Sequence, residues 1–308
     1  MTGENTYDLI IVGAGVTGYG SALYAGRFKM KSLVLSKDTG GIINWASHVD
    51  NYPGIPDVTG MDLADKIKDH AFRFGSELRL EEVENLERSS DWFKVTTSRG
   101  EYFAKSIIIA TGSERRKLGI PGETELNGNG VHSCAICDGY LYNGKTVAVV
   151  GGSDSAAKEA LVLAEHAEKV FIIYRKEKIR AEPIIYDRVM AADNIEIINN
   201  TNVVEAKGDK KLDRVVLDKP YDGKNELPLD GLFIEVGHTP LSQLSRTIGV
   251  ELNEKGEIVT DKMSCTNVEG VYAAGDVTDM EFKQAITGVA QGVTAAYMAF
   301  KHIKSKSS

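Results

Sequence analysis

Two glycine-rich turns, each set between an apolar β-branched run and an alanine-rich stretch, constrain this chain more than any other feature. Residues 7–12 lead into Gly13-Ala14-Gly15-Val16-Thr17-Gly18, then a helical stretch to about Phe28 and a short strand at residues 31–35. GxGxxG alone is a weak signal, but between a strand and a helix its glycines permit a tight turn, close approach of a pyrophosphate and tight helix packing. The pattern returns at residues 146–150, followed by Gly151-Gly152-Ser153-Asp154-Ser155-Ala156, a helix to about Ala167 and a strand at residues 169–174. One chain thus carries two Rossmann-like dinucleotide-binding folds. The expected class is α/β, and internal duplication explains the repeat.

A chain of 308 residues can bury two cores of ordinary size. Between the fingerprints, residues 101–110 read as a strand entering Ala110-Thr111-Gly112, and residues 117–122 as a connector. Residues 231–237 read as a returning strand before the turn-rich His238-Thr239-Pro240. A strand ending at Gly275-Asp276 and a small-residue helix from about Gln284 to Ala299 complete the chain. The most economical topology inserts a second domain, 117–241, into a first made of 1–116 and 242–308. The net charge of −8 argues against a nucleic-acid partner, whose phosphates call for clustered Lys and Arg. No apolar run is long enough to span a bilayer, no leader is evident, and a cytoplasmic location is expected. The basic tail, residues 301–308, reads as a frayed, solvated helix end.

Cys134-Ala135-Ile136-Cys137-Asp138 is a lone CxxC followed by an acid, lying between one fingerprint and the next. Two thiols so close can form a disulfide at low entropic cost, and a helix starting there lowers the leading pKa. The rival reading is structural zinc, which usually needs four protein ligands. With three cysteines in the chain and Cys265 far downstream, the redox reading is preferred. Cys265 is expected to be a buried, inert thiol, and His132 a loop or solvent histidine.

The order and spacing of these motifs resemble the low-molecular-weight thioredoxin reductase family over nearly the whole chain. The carriers are the first fingerprint, Gly40-Gly41, Asp50-Asn51-Tyr52-Pro53-Gly54, Ala110-Thr111-Gly112, Cys134-Ala135-Ile136-Cys137-Asp138-Gly139, Ala274-Gly275-Asp276-Val277 and Lys283-Gln284-Ala285-Ile286-Thr287. The resemblance implies FAD in the first domain, a nicotinamide in the inserted one, a homodimer, and thioredoxin or a similar protein as substrate. Gly13, Gly15 and Gly18 would take the FAD pyrophosphate, with Gly41 and Gly112 nearby and Gly275-Asp276 on the flavin side. Asn51 and Lys283-Gln284-Ala285 would border the isoalloxazine. Cys137 would face the flavin, Cys134 would attack the partner's disulfide, and Asp138 would act as general acid or base. Rotation about connectors near 113–119 and 238–246 would let one disulfide serve both flavin and partner.

Departures from the family pattern lie mainly at the electron inlet. Ile42 follows Gly41 where the family commonly has Gln, and Ser36 stands where many dinucleotide folds place a ribose-binding acid. In the second fingerprint the family's middle glycine is Ser153, and its HRRxxxR stretch reads Tyr174-Arg175-Lys176-Glu177-Lys178-Ile179-Arg180. Gly151, Gly152, Ser153, Ser155, Ala156, Arg175, Lys176 and Arg180 form the expected NADPH set, with the retained cations suited to a 2′-phosphate. NADPH is the first donor expected, reduced ferredoxin or a deazaflavin the second, and NADH the third. An FAD-binding redox sensor without turnover is the alternative of another class.

Overall fold

The computed structural model describes residues 5–46 and 49–306, in two compact units, Met1–Glu114 with Thr239–Ser308 and Arg115–His238. The first unit opens with β1 (Thr6–Val12), α1 (Val16–Arg27), β2 (Ser32–Ser36) and a 3-10 turn at Gly41–Trp45. There follow α2 (Gly60–Phe72), β3 (Glu77–Leu80), β4 (Val83–Arg88), β5 (Phe93–Thr97) and β6 (Gly100–Ile109). These strands form one sheet in the order β3-β2-β1-β6-β5-β4, parallel from β3 to β6 and antiparallel beyond. The chain leaves β1 for β2 on one side while β6 pairs on the other. The order therefore reverses at the carboxyl end of β1, where such sheets open a ligand crevice.

Alternation along β1 supplies two cores. Leu9 and Ile11 meet Ala22 and Ala25 of α1 on one face, and Ile10 and Val12 meet Leu86 and Val95 on the other. Leu9, Ile10 and Ile11 are fully buried, which stabilises the fold by about 1.5–3 kcal/mol each relative to exposure.

The first crossing between the units, β7 (Ser113–Arg115), leads to β8 (Val131–His132), α3 (Ala135–Asp138), a 3-10 turn at Gly139–Tyr142, β9 (Thr146–Val150) and α4 (Asp154–Ala164). The second unit continues with β10 (Lys169–Ile173), α5 (Pro183–Ala191), β11 (Ile195–Ile198), β12 (Val203–Lys207), β13 (Arg214–Tyr221), β14 (Lys224–Pro228) and β15 (Gly231–Ile234). Its sheet is wholly parallel, in the order β11-β10-β9-β15-β8, and reverses at the carboxyl end of β9. Helices α4 and α5 cover one face through Ala156, Ala160, Leu163 and Val189. The antiparallel sheet β12-β13-β14 covers the other through Val203, Val215 and Leu227. Edge strand β8 pairs in register with β15, Val131 opposite Leu232 and His132 opposite Phe233. Because all five strands are parallel, the CxxC after β8 emerges at the same sheet edge as the Gly151 turn.

The return crossing, β16 (His238–Pro240), reads as a turn in the sequence but forms a two-stranded sheet with β7. Then come α6 (Gln243–Arg246), β17 (Val271–Ala273) beside β6 in the first sheet, and α7 (Ala285–Lys306). Helix α7 packs closely on α1 because small residues line the seam: a Cβ on Gly20 would lie 2.9 Å from the Val289 carbonyl oxygen, and one on Gly292 2.8 Å from Ser21 Oγ. The tail is not frayed over its described part. It is helical through Lys306, and Ile303 joins the core; Ser307 and Ser308 lie outside the described residues.

Candidate active site

The first glycine turn is shaped by its neighbours. Gly13 adopts φ +113°, and a Cβ there would overlap the Ala110 carbonyl oxygen, so only glycine fits. Gly18 packs against the Gly13 carbonyl in the same way, which brings α1 hard against the turn. Helix α1 begins after Gly15 with no side-chain cap and no acid in its first turn. Its leading N–H groups therefore keep their partial positive charge for an anion. Gly41 faces this helix start, its added Cβ 3.4 Å from Gly15 Cα, while Gly112 takes a left-handed conformation shortly after β6.

Gly275, after β17, is closed against Thr17 and donates its N–H to Gln291 Oε1 at 2.7 Å; Asp276 beside it is half-buried. Asn51 and Gln284, far apart in sequence, meet through Asn51 Nδ2 donating to Gln284 Oε1 at 3.1 Å, directly before Ala285 opens α7. Lys283 Nζ is already matched, 2.5 Å from Glu257 and 3.0 Å from the Asp276 carbonyl oxygen. Buried Asn44 Oδ1, against Gly40, has no hydrogen-bond partner among the described residues. An uncapped helix start, a glycine cradle and an orphan acceptor fit a dinucleotide such as FAD.

The second turn repeats the path with different chemistry. A Cβ on Gly151 would overlap the Glu235 carbonyl oxygen, and one on Gly152 the ring of Tyr174. Helix α4 is capped by its own Ser153, whose Oγ accepts from the Ala156 N–H at 3.5 Å. Asp154, in the first turn, accepts from the Glu182 N–H at 2.9 Å and pairs with Lys158 at 2.8 Å. Both features occupy the positive helix end that α1 leaves open, and a carboxylate there opposes a second anion. The Arg180 N–H donates to the Gly152 carbonyl at 2.6 Å, drawing the 175–180 stretch over the turn. Buried Tyr174 leaves its hydroxyl without a partner among the described residues. Arg175, Lys176 and Arg180 are exposed and form no ion pair among the described residues; Ser155 is exposed and Ala156 buried.

Cys134 and Cys137 form a disulfide with a Cα–Cα distance of 5.4 Å, which removes both sulfurs from zinc ligation. Cys134 caps α3, its Sγ accepting the Cys137 N–H at 3.1 Å, a contact that favours a thiolate at Cys134 after reduction. Cys134 is only 5 % exposed, whereas Cys137 lies at the surface and Asp138 is half-exposed. Cys265 is half-buried rather than buried; desolvation and nearby Asp261 push its thiol up, so it stays protonated and unreactive.

His132 differs from expectation. It is buried, because β8 places it across from Phe233, on which its ring stacks at 5.3 Å. Its Nδ1 lies 2.9 Å from Asp138 Oδ2 and its Nε2 2.6 Å from Tyr142 Oη. A second group absent from the sequence reading lies beneath the disulfide. Arg115 bridges buried Glu159 of α4 at 3.2 Å and buried Glu235 at 2.7 Å, and Glu159 also accepts the Ala135 N–H. Desolvation and the Glu235 charge outweigh Arg115 and push Glu159 up to about 8. The signals were legible: Glu159 interrupts the apolar stripe Ala156, Ala157, Ala160, Leu163, and Glu235 ends an apolar strand. What each acid meets there was not.

Comparison with known proteins places this geometry. Residues 7–292 match the family described as pyridine nucleotide-disulphide oxidoreductase. A thioredoxin reductase from Listeria innocua is 39 % identical over 304 residues, covering 98 % of this chain and 95 % of that protein. The crystal structure of Lactococcus lactis thioredoxin reductase in its FR conformation superposes with a TM-score of 0.93 at 37 % identity, covering 97 % of this chain and 99 % of that one. A ferredoxin-flavin thioredoxin reductase from Clostridium acetobutylicum gives a TM-score of 0.55 at 31 % identity, covering 98 % and 99 %. With likeness of this extent running through both glycine turns and the CxxC, the chain belongs to the thioredoxin reductases of the pyridine nucleotide-disulphide oxidoreductase family.

Proposed function

We propose that this protein is a thioredoxin-disulfide reductase in which the Cys134–Cys137 disulfide receives electrons through FAD and passes them to thioredoxin or a similar small disulfide protein. The observation that carries this reading is a CxxC disulfide at the carboxyl edge of one Rossmann sheet in a chain whose other Rossmann turn has an uncapped, glycine-cradled helix start. Bound by Gly13, Gly15, Gly18, Gly41, Gly112 and Gly275-Asp276, and bordered by Asn51, Lys283, Gln284 and Ala285, FAD supplies the conversion of a hydride into two electrons for a disulfide, which no side chain performs. Cys134, held by the Cys137 N–H, is the thiolate that attacks the partner and must become accessible once the ring opens. Cys137, already at the surface, resolves the mixed disulfide, and Asp138 moves the accompanying proton.

NADPH is the donor proposed first, because exposed Arg175, Lys176 and Arg180 suit a 2′-phosphate. Reduced ferredoxin or a deazaflavin is the second reading, favoured by the Ser153 cap and the Asp154 carboxylate at the start of α4. Anaerobic titration of the FAD-loaded protein separates them. Bleaching of the flavin by stoichiometric NADPH supports the first; none at millimolar-order NADPH, with bleaching by ferredoxin or a deazaflavin, supports the second. Catalytic turnover with excess thioredoxin distinguishes a reductase from a sensor. No helix among the described residues is long and apolar enough to cross a membrane. A cytoplasmic homodimer completes the proposal, with exposed Trp45, Met61, Phe74 and Tyr297 of the first unit offering apolar surface for a second copy to cover.

A further inference from the structure

Asp138 is anchored on one side only. Its Oδ2 meets His132 Nδ1 at 2.9 Å, while its Oδ1 makes no hydrogen bond among the described residues and the side chain is one-third exposed. Behind it, His132 is locked by three contacts: Tyr142 Oη at 2.6 Å from Nε2, the stack on Phe233, and the edge of the Tyr142 ring at 5.5 Å. Tyr142 cannot retreat, because its ring packs on Gly231 so closely that a Cβ there would lie 2.6 Å from it. Burial, then the charges of Asp138 and Asp230, push the Tyr142 phenol up to about 12. The Asp138 carboxylate can only accept, so Nδ1 carries the proton donated to Oδ2, and Nε2 lies against the Tyr142 hydroxyl. Other titratable groups near this site are the redox sulfurs themselves, Glu159 through the Ala135 N–H, and Asp230, whose charge acts on Tyr142.

We propose that His132 is the positioning residue of the thiol–disulfide exchange, holding Asp138 by Oδ2 so that Oδ1 is the oxygen that trades protons with the redox sulfurs. The inference rests on Asp138 being the acid–base group. In the resolving step Cys137 gives its proton to Oδ1 and its sulfur attacks Cys134 of the mixed disulfide. The Cys134–Cys137 bond forms, the Cys134–partner bond breaks, and the departing partner thiolate takes the proton from Oδ1. No electron is gained or lost overall, and the dyad ends as it began.

Two variants separate the two nitrogens, because an Asn amide reaches the place of Nδ1 and a Gln amide that of Nε2. His132→Asn keeps a donor for Asp138, and thioredoxin reduction should fall no more than about threefold with its pH profile unmoved; His132→Gln loses that donor and should slow resolution about tenfold, as the loss of one charged hydrogen bond implies. The cofactor-independent readout is the pH dependence of alkylation of the two reduced cysteines by iodoacetamide. His132→Gln should shift the Cys137 profile and His132→Asn should not. Asp138→Asn serves as the control and should cost on the order of a hundredfold. A wild-type rate and alkylation profile in His132→Gln, with Asp138→Asn impaired, overturns the role of His132. An unimpaired Asp138→Asn overturns the acid–base reading itself, and the role of His132 with it. Should both histidine variants fail to fold, Tyr142→Phe frees Nε2 and should shift the same profile; an unchanged profile there also refutes the proposal.

Discussion

Replacing Glu159 with Gln removes a buried carboxyl that the folded chain holds in its neutral form. Glu159 lies beneath α3, shares Arg115 with Glu235, and is pushed up to about 8 because burial and the second carboxylate outweigh the single guanidinium. The unfolded chain has none of these neighbours and loses the same proton near the ordinary value of about 4.3. Between those limits unfolding releases a proton, so this group makes stability fall as pH rises, by at most about 1.4 kcal/mol per pH unit. Over the three units from pH 5 to 8 the upper limit is roughly 4 kcal/mol, reduced wherever Arg115 takes up the new charge. Glu159→Gln keeps the shape and the acceptor for the Ala135 N–H but has nothing to titrate. Its melting curve should therefore gain on the wild type as pH rises, by about 3 °C for each kcal/mol in a domain of this size. Thermal unfolding of both proteins from pH 5 to 8, followed by circular dichroism, reads the difference directly. Parallel pH dependences would refute the reasoning, since they would mean that Glu159 is ionised throughout.

At the disulfide, Cys137→Ser should accumulate a stable mixed disulfide between Cys134 and thioredoxin, and Cys134→Ser should not; mass spectrometry of the trapped complex checks this, and the reverse result would transfer the nucleophile's role to the exposed sulfur. In the first unit, Gly13→Ala should leave protein without flavin and destabilised by more than about 1 kcal/mol, because alanine would have to adopt φ +113° and overlap the Ala110 carbonyl. Bound FAD absorbance and the melting temperature report the two effects separately. At the inlet, Ser153→Gly should tighten NADPH severalfold, since it removes both the Cβ and the hydroxyl that caps α4, while costing only a few tenths of a kcal/mol of helix stability.

The glycine turns were legible in the sequence because their physics is local. A strand that must turn at once into a helix admits only glycine at positions such as Gly13, and the period of the flanking residues declares strand or helix without help from the rest of the chain. The CxxC was legible for the same reason, since two thiols at that spacing constrain each other whatever surrounds them. Their likeness to a known family carried the cofactor and the substrate class.

Tertiary packing decided the rest. His132 read as a loop residue, and only the parallel pairing of β8 with β15 buries its ring on Phe233 between Asp138 and Tyr142. Arg115, Glu159 and Glu235 come from three distant segments, and no local pattern signals that they would share one buried charge cluster under the disulfide. The contrast between the two helix starts also belongs to the fold. Ser153 in place of glycine was visible as a lost approach, but that it caps α4, with Asp154 fixed by Glu182 and Tyr174 laid on Gly152, follows from how residues 174–182 return over the turn. Local sequence determines which conformations a backbone can take; which side chains end up in water, and which must find partners away from it, is decided only when distant segments meet.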